Sequence, residues 1–356
     1  MDPVDELIMN EALDVTRGRG LDPLRVAVLD APGLADAAAQ AFAGTGLAGT
    51  EPAGTLALHC DSLVDERTVP DELRVETDPA AALAGADLVL LRLPPALAAL
   101  DEQCELIRAH ADPGVRLVAG ARIKHLRREM NEVLANHFGD VHASLGRRKS
   151  RVLHAAGLSD PGAAPTYPRR STDELDLPGG RRTIELVDHG GTFARGRIDA
   201  GTRLLLSTAA SWPVAADVID LACGDGVLGV AAAIVQPDAS VIAVDDSASA
   251  CASAAATAAA NGVRVEVERA DGLTGRPDAW ADLIVCNPPF HRGTTKDSTP
   301  AMTMLADAAR VLRPGAELWT VFNAHLPYLP LLRGQVGSTG IVARNRSYVV
   351  TRTIAG

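Results

Sequence analysis

The stretch Asp220-Leu-Ala-Cys-Gly224-Asp-Gly226-Val-Leu-Gly229 decides how this chain of 356 residues is read. It follows the apolar run Ala215-Ala-Asp-Val-Ile and leads into Val230-Ala-Ala-Ala-Ile-Val, so the pattern predicts a strand, a glycine turn and the opening of a helix. Outward from it the alternation continues. Ala239-Ser-Val-Ile-Ala-Val reads as the next strand, and Ser247 to Ala259 as a helix that stops at Asn261-Gly262, a left-handed C-terminal end. Arg264-Val-Glu-Val, Ala281-Asp-Leu-Ile-Val-Cys, a helix over Thr299–Val311, and strands at Ala316-Glu-Leu-Trp-Thr-Val-Phe and Tyr348-Val-Val-Thr-Arg-Thr complete this half. Strands separated by helices of this length predict an α/β fold with a parallel, doubly wound sheet.

The first half carries a fainter version of the same pattern. Leu24-Arg-Val-Ala-Val-Leu, Leu56-Ala-Leu-His, Ala86-Asp-Leu-Val-Leu-Leu-Arg-Leu and Val115-Arg-Leu-Val-Ala-Gly read as strands, with helices over Leu34–Phe42 and Ala96–Ala109. Val26-Ala-Val-Leu-Asp30 followed by Gly33 sits where Val218-Ile-Asp220 and the glycines sit later. Ala86 to Pro95 parallels Ala281 to Pro289. This is the signature of an internal duplication whose first copy has lost its chemical residues. Two unrelated α/β domains with similar strands are the alternative. Between the copies, the Pro- and Gly-rich segment 158–182 reads as a linker or connecting hairpin. The expected division is therefore 1–157, 158–182 and 183–356.

Gly224, Gly226 and Gly229 satisfy the dinucleotide fingerprint, with Asp245 or Asp246 placed for a ribose. The glycines alone do not separate a nicotinamide oxidoreductase from an S-adenosylmethionine enzyme. Asp220 does more, because a carboxylate there repels a pyrophosphate and attracts a cationic methionyl group. Asp271 follows the third strand of this half and is placed to accept from an adenine amine. At the end of the fourth strand stands Asn287-Pro288-Pro289-Phe290. A ring amine is a poor nucleophile, since its lone pair is delocalised. The Asn287 side-chain oxygen and the Pro288 carbonyl can each accept one of its N–H bonds, on a turn stiffened by two prolines. The amine is then aimed at a methyl donor, while Phe290 offers a flat face to a base that has left its helix.

With these residues in view, the chain resembles the class I S-adenosylmethionine-dependent methyltransferases. More closely it resembles the ribosomal RNA guanine-N2 methyltransferases built from two tandem, Rossmann-like methyltransferase domains. The likeness rests on Phe193 to Leu206, the glycine turn, Val244-Asp-Asp-Ser, Cys286 to His291 and Asn323-Ala-His-Leu-Pro-Tyr328. In the first half, Leu90 to Gln103, Val118-Ala-Gly-Ala-Arg-Ile-Lys and Arg147-Arg-Lys-Ser-Arg-Val-Leu are similar to the large-subunit (23S) member rather than the 16S one. The resemblance implies S-adenosyl-L-methionine in the C-terminal domain and a degenerate N-terminal domain that recognises RNA. It implies Asp199 and Gly201 over the cofactor, Asp220 and Gly224 at the methionyl group with Gly226 in the same turn, Asp245 at the ribose and Asp271 near the adenine. Asn287, Pro288 and Phe290 form the base pocket, with Asn287 also beside the cofactor. The chain departs from the pattern at Ala222, where Gly is usual, at Asp225, where Asn is common, and after Asn323, where Ala replaces Arg.

Composition sets the limits. Hydrophobic residues at 47% and charged residues at 22% describe a folded protein. The acidic N-terminus and the lack of a long apolar run predict no leader and no membrane partner. Five dispersed cysteines predict neither disulfides nor a metal site, and a reducing cytoplasm as the location. The oligomeric state stays open, with a monomer compatible. A net charge of −11 and 3% aromatics exclude a broad charge-driven nucleic-acid binder. That average hides eight basic against three acidic residues between Ala121 and Arg151. Lys124, Arg147, Arg148 and Lys149 from this run are the candidate RNA phosphate contacts; Arg169, Arg170, Arg181 and Arg182 add a basic linker. Cys223 reads as a packing residue, and His291, His325 and Tyr328 stay open as substrate contacts. A protein-glutamine or adenine-N6 methyltransferase, a nicotinamide oxidoreductase and a non-catalytic RNA-binding factor are the competing functions.

Overall fold

The computed structural model describes residues 1–17, 24–43, 54–193, 196–289 and 299–356. The chain divides into two compact units, Met1–Tyr167 and Pro168–Gly356. Among the described residues, no helix is long and apolar enough to cross a membrane.

The first unit contains β1 (Leu24–Leu29), β2 (Gly54–His59), β3 (Leu88–Arg92), β4 (Arg116–Arg122), β5 (Phe138–Ala143) and β6 (Ser150–Leu158). Among the described residues they form a six-stranded sheet in the order β2-β1-β3-β4-β6-β5. The second unit contains the hairpin β7 (Arg169–Leu177) and β8 (Gly180–Asp188), then β9 (Asp217–Leu221), β10 (Ser240–Asp245), β11 (Glu266–Arg269), β12 (Ala281–Cys286), β13 (Leu312–Asn323), β14 (Gly337–Arg344) and β15 (Tyr348–Ala355). Its sheet runs β11-β10-β9-β12-β13-β15-β14, with only β15 antiparallel to its neighbours. Removing one edge strand from this order gives the order of the first unit. A remnant of that edge survives there as a single parallel bridge between Leu58 and Val75.

Registers make the duplication exact to the residue. In the first unit Asp87 accepts from the Arg25 amide at 2.9 Å; in the second Asp282 accepts from the Asp217 amide at 3.1 Å. Counting from these shared anchors, Val28 (opposite Leu90) occupies the place of Asp220 (opposite Val285). The expectation that Asp30 matches Asp220 is therefore corrected: Asp30 lies two residues further on, in the turn after β1. At that place Asp30 has φ +52° and Ala222 has φ +58°. By the same registers Cys60 replaces Asp245 and Arg92 replaces Asn287.

Alternating side chains send each strand's residues to opposite faces. Val26 and Val28 join the core formed with Val4, Leu7 and Ile8 of the helix Pro3–Thr16, while Ala27 and Leu29 join the core on the other face. Val218 packs with Leu205 and Leu206 of the helix Ala200–Leu206, and Ile219 and Leu221 pack on the opposite side. The helices Pro3–Thr16 and Ala200–Leu206 thus cover corresponding faces.

The helix that the sequence predicts over Leu34–Phe42 is present but irregular: a 3-10 turn over Pro32–Leu34, α-helix over Ala35–Ala38 and π-helix over Ala39–Ala43. The segment read as linker or hairpin contains β7, which pairs with β8 along its length. Arg170 and Arg181 of this hairpin are ion-paired with Glu185 and Glu174, so much of the basic linker is internally neutralised. The second strand of the hairpin is held by side chains of the helix Ala248–Ala260 and its cap. Amides of Glu185, Val187 and His189 donate to Asn261, Thr257 and Ser253 at 3.0, 3.1 and 3.0 Å. Four helical residues rise about 6 Å and two strand residues about 6.6 Å, so the two ladders stay in step. This ladder fixes where the chain leaves β8 and begins its run toward the site.

Candidate active site

Three segments meet at the C-terminal edge of β9, β10 and β12, where ligands bind in open α/β sheets. The first is the glycine turn. Gly224 (φ +55°) and Gly226 (φ +77°) take left-handed conformations that other residues adopt only with strain. The Gly224 amide donates to the Asp245 carboxylate at 3.0 Å, and the Cys223 amide to the Val244 carbonyl at 3.0 Å. The turn is thereby tied to the end of β10. A Cβ on Gly226 would lie 2.7 Å from the Ala254 Cβ, whereas one on Gly224 meets nothing within 4 Å. Gly226 is required by packing; Gly224 leaves its side of the turn open to a ligand.

Asp220 is fully buried. One carboxylate oxygen accepts from the Gly229 amide at 2.8 Å, in the first turn of the helix Val227–Val235, and the other has no partner. Burial first, with Asp225 and Asp245 adding to it, pushes its pKa well above the usual carboxylate range. Asp225, also buried, is pushed up to about 7 by burial and then by Asp188. Asp188 keeps one buried oxygen without a partner while the other accepts from the Gly196 amide at 2.8 Å. The crowding of these neighbouring carboxyls holds one another's ionisation back; a bound cation would relieve it and a pyrophosphate would not, which disfavours the dinucleotide reading. The unpartnered Asp220 oxygen and the open side of Gly224 fit a cationic methionyl group. Asp245 accepts from both the Gly224 and Ser247 amides, and the Asp245 carbonyl accepts from Ala270 at 2.8 Å, which brings Asp271 alongside.

The second segment is the start of the helix Ala200–Leu206. Asp199 caps it, accepting from the Gly201 and Thr202 amides at 2.7 and 3.2 Å. A Cβ on Gly201 would sit 3.0 Å from the Tyr348 ring. The third segment is the end of β12. Asn287 donates its side-chain NH2 to Asp199 Oδ2 at 3.1 Å and to Thr202 Oγ1 at 2.9 Å. A carboxylate only accepts, so the NH2 must face Asp199. The Asn287 amide oxygen is left buried and without a partner. Asn287 therefore presents one oriented acceptor. Pro288 is buried next to it. Phe290 and His291 lie outside the described residues.

Thr202, Asp188 and Asp225 are the residues that sequence reasoning missed. Asp225 lay in the glycine turn as a departure from pattern; Thr202 stood three residues after Asp199, a helix-cap spacing. Asp188 had no local signal. Cys223 is buried, and burial followed by Asp220 and Asp245 pushes its thiol up, as a packing residue requires. Tyr328 is corrected from possible substrate contact to core: it is fully buried, its ring 5.3 Å from that of Phe322. His325 is exposed.

In the first unit the same corner is filled. Arg92, in the place of Asn287, bonds Asp2 and Asp5 at 2.6 and 2.5 Å, and Asp2 caps the helix Pro3–Thr16 as Asp199 caps its counterpart. An arginine saturated by two carboxylates offers no acceptor to an amine.

Lys124, Arg147, Arg148 and Lys149 are all exposed, and the fold brings them together. The Ile123 amide donates to the Lys149 carbonyl at 2.9 Å, and the Arg122 guanidinium to the Arg148 carbonyl at 3.4 Å.

Residues 183–352 match the family described as Methyltransferase small domain, and residues 63–158 match the RLMG N-terminal domain. The chain is 37% identical over 288 residues to the ribosomal RNA large subunit methyltransferase G of Stutzerimonas stutzeri, covering 80% of this chain and 75% of that protein. It is 40% identical over 270 residues to the protein of the same name from Ectopseudomonas mendocina, covering 75% and 70%. Among solved structures it is similar to a T. thermophilus 16S rRNA N2 methyltransferase in complex with AdoMet and guanosine. That likeness has a TM-score of 0.78 and 22% identity, over 100% of this chain and 92% of that one.

Proposed function

The chain belongs to the ribosomal RNA large subunit methyltransferase G family, and from that premise we propose that its second unit methylates the exocyclic N2 amine of a guanine in 23S ribosomal RNA. The enzyme is an S-adenosylmethionine-dependent methyltransferase of class I fold. The observation that carries the planar-amine reading is the Asn287 amide, with its NH2 held by Asp199 and Thr202 and its oxygen buried without a partner; the choice of guanine N2 over adenine N6 rests on the family.

S-adenosylmethionine, when bound, supplies a methyl group activated by its sulfonium charge. Asp220 would take the ammonium of the methionyl end beside Gly224 and Gly226, Asp245 would serve the ribose and Asp271 the adenine, with Asp199 and Gly201 also toward the cofactor. Asn287 accepts one N–H of the target amine and the Pro288 carbonyl the other, with Phe290 against the base. Holding both N–H bonds fixes the direction of the nitrogen lone pair. No strong general base is needed, because the methylated nitrogen becomes acidic and loses its proton to water. Lys124, Arg147, Arg148 and Lys149 of the first unit bind RNA phosphates. The protein acts in the cytoplasm.

Asn287→Ala tests this reading. Methyl transfer to large-subunit RNA is expected to be lost while S-adenosylhomocysteine still binds, since Asp220, Gly224 and Asp245 are left in place. Full turnover in this variant would refute the role of Asn287.

A further inference from the structure

The hairpin of β5 and β6 ends in a turn that most sequences would fill with Asn-Gly. Arg147 and Ser150 exchange both backbone bonds, at 2.9 and 2.8 Å. The two residues between them, Arg148 and Lys149, have φ of +47° and +61°. Such a turn favours residues that tolerate the left-handed region, and longer side chains are strained there. The side chains at this tip are exposed, so packing does not account for them. Two large aliphatic residues are exposed beside them, Leu145 at 82% and Ile123 at 43%. Ile123 lies against the backbone of this turn: a Cβ on Gly146, the residue after Leu145, would lie 3.1 Å from Ile123 Cδ1. Arg148 is anchored to Glu6 at 2.5 Å. Among the described residues, Lys124, Arg147 and Lys149 have no ion pair.

We propose that this hairpin tip grips an unpaired nucleotide of the RNA substrate, with the base against Leu145 and Ile123 and its flanking phosphates on Arg147, Lys149 and Lys124. The inference rests on RNA being the substrate, and it specifies what kind of RNA segment meets the first unit. Exposed aliphatic side chains on the same turn as cations match the apolar face and flanking charges of a single nucleotide. A duplex hides its base faces within the stack and presents only phosphates and groove edges. The strained turn and the Arg148–Glu6 pair fix the backbone that carries Lys149, so less freedom is lost on binding.

The test uses the full chain and fluorescence anisotropy with a short labelled single-stranded RNA and a duplex containing the same sequence. Arg148→Gln/Lys149→Gln is expected to weaken single-strand binding and to lower the salt slope by about 0.7 for each phosphate no longer neutralised, with Tm unchanged. Arg148→Asn/Lys149→Gly is expected to weaken it similarly while raising Tm by about 2–6 °C, because the strain is relieved. Leu145→Ser is expected to reduce single-strand affinity several-fold at constant salt slope and to leave duplex binding alone. Unchanged single-strand affinity in the Gln pair, or equal losses on the duplex with Leu145→Ser, would overturn the proposal. Methyl transfer by the parent protein is measured in the same preparation. Transfer without tip-dependent binding sinks the grip alone; tip-dependent binding without transfer sinks the methyltransferase reading alone.

Discussion

Replacing Asp199 with Asn probes the orientation of the Asn287 amide. Asp199 does two things at once: it caps the helix Ala200–Leu206 and accepts from Asn287 at 3.1 Å. Asn is as good a helix cap as Asp, so the fold should lose little stability. The new side chain, however, has one acceptor oxygen where two served the Gly201, Thr202 and Asn287 N–H groups; with that oxygen on the Gly201 amide its NH2 faces the Asn287 NH2, and two donors cannot bond. Either that hydrogen bond breaks or Asn287 turns over and presents its NH2 to the substrate. The charge-assisted bond is worth about 1.5–3 kcal/mol, which corresponds to about 10- to 150-fold in kcat. Thr202→Val removes only the neutral acceptor at 2.9 Å, worth about 0.5–1.5 kcal/mol, or about 2- to 12-fold. The assay is single-turnover transfer of a labelled methyl group at saturating RNA, with calorimetry of S-adenosylhomocysteine and a thermal melt alongside. The expected order is parent, Thr202→Val, Asp199→Asn, with cofactor affinity and Tm nearly level. Unchanged transfer in Asp199→Asn, or a loss confined to cofactor affinity, would refute the positioning role.

Four further outcomes follow from the geometry of the two units. Gly226→Ala should lower stability by about 2 kcal/mol or more, since its Cβ would meet Ala254 at 2.7 Å and its φ is +77°. Gly224→Ala should cost only about 1 kcal/mol of backbone strain yet impair cofactor binding, as melts and calorimetry of the pair would show. Asp225 is raised in the folded protein to about 7 from an ordinary carboxylate value. Its stabilising contribution is present below about pH 4 and is lost as pH rises to about 7. Asp225→Asn should therefore gain stability over the parent across that window, and a constant difference in Tm across it would contradict the assignment. In the first unit, Arg92→Asn leaves Asp5 buried without its cation and should cost about 3–5 kcal/mol, without creating a second methyl-transfer site. Stability near that of the parent in a denaturant titration would count against the plug.

The parts of the fold legible in the sequence were those written by periodicity. β9, β10, β12 and their glycine turn are short apolar runs with sharp ends, and the duplication showed in the shared Ala-Asp-Leu starts of β3 and β12. The helix Pro3–Thr16 and the strands β5, β6 and β14 were missed. Their strands carry mixed polar and apolar residues, because β5 and β14 are sheet edges with exposed backs. The hairpin of β7 and β8 hid within a Pro- and Gly-rich stretch, because its order comes from Ser253, Thr257 and Asn261, far away in sequence. At the site, Asn287, Asp220 and Asp245 announced themselves by motif. Thr202 and Asp188 did not, since their meaning lies in what they touch: an amide from a strand 85 residues away and a buried carboxylate in the glycine turn.

The central claim is most directly tested by the identity of the methylated atom. Large-subunit ribosomal RNA lacking its methyl groups is incubated with the protein and S-adenosylmethionine, digested to nucleosides and resolved by mass spectrometry. N2-methylguanosine is expected from the parent protein and should be absent with Asn287→Ala. N6-methyladenosine instead, or N2-methylguanosine undiminished in the variant, would contradict the account.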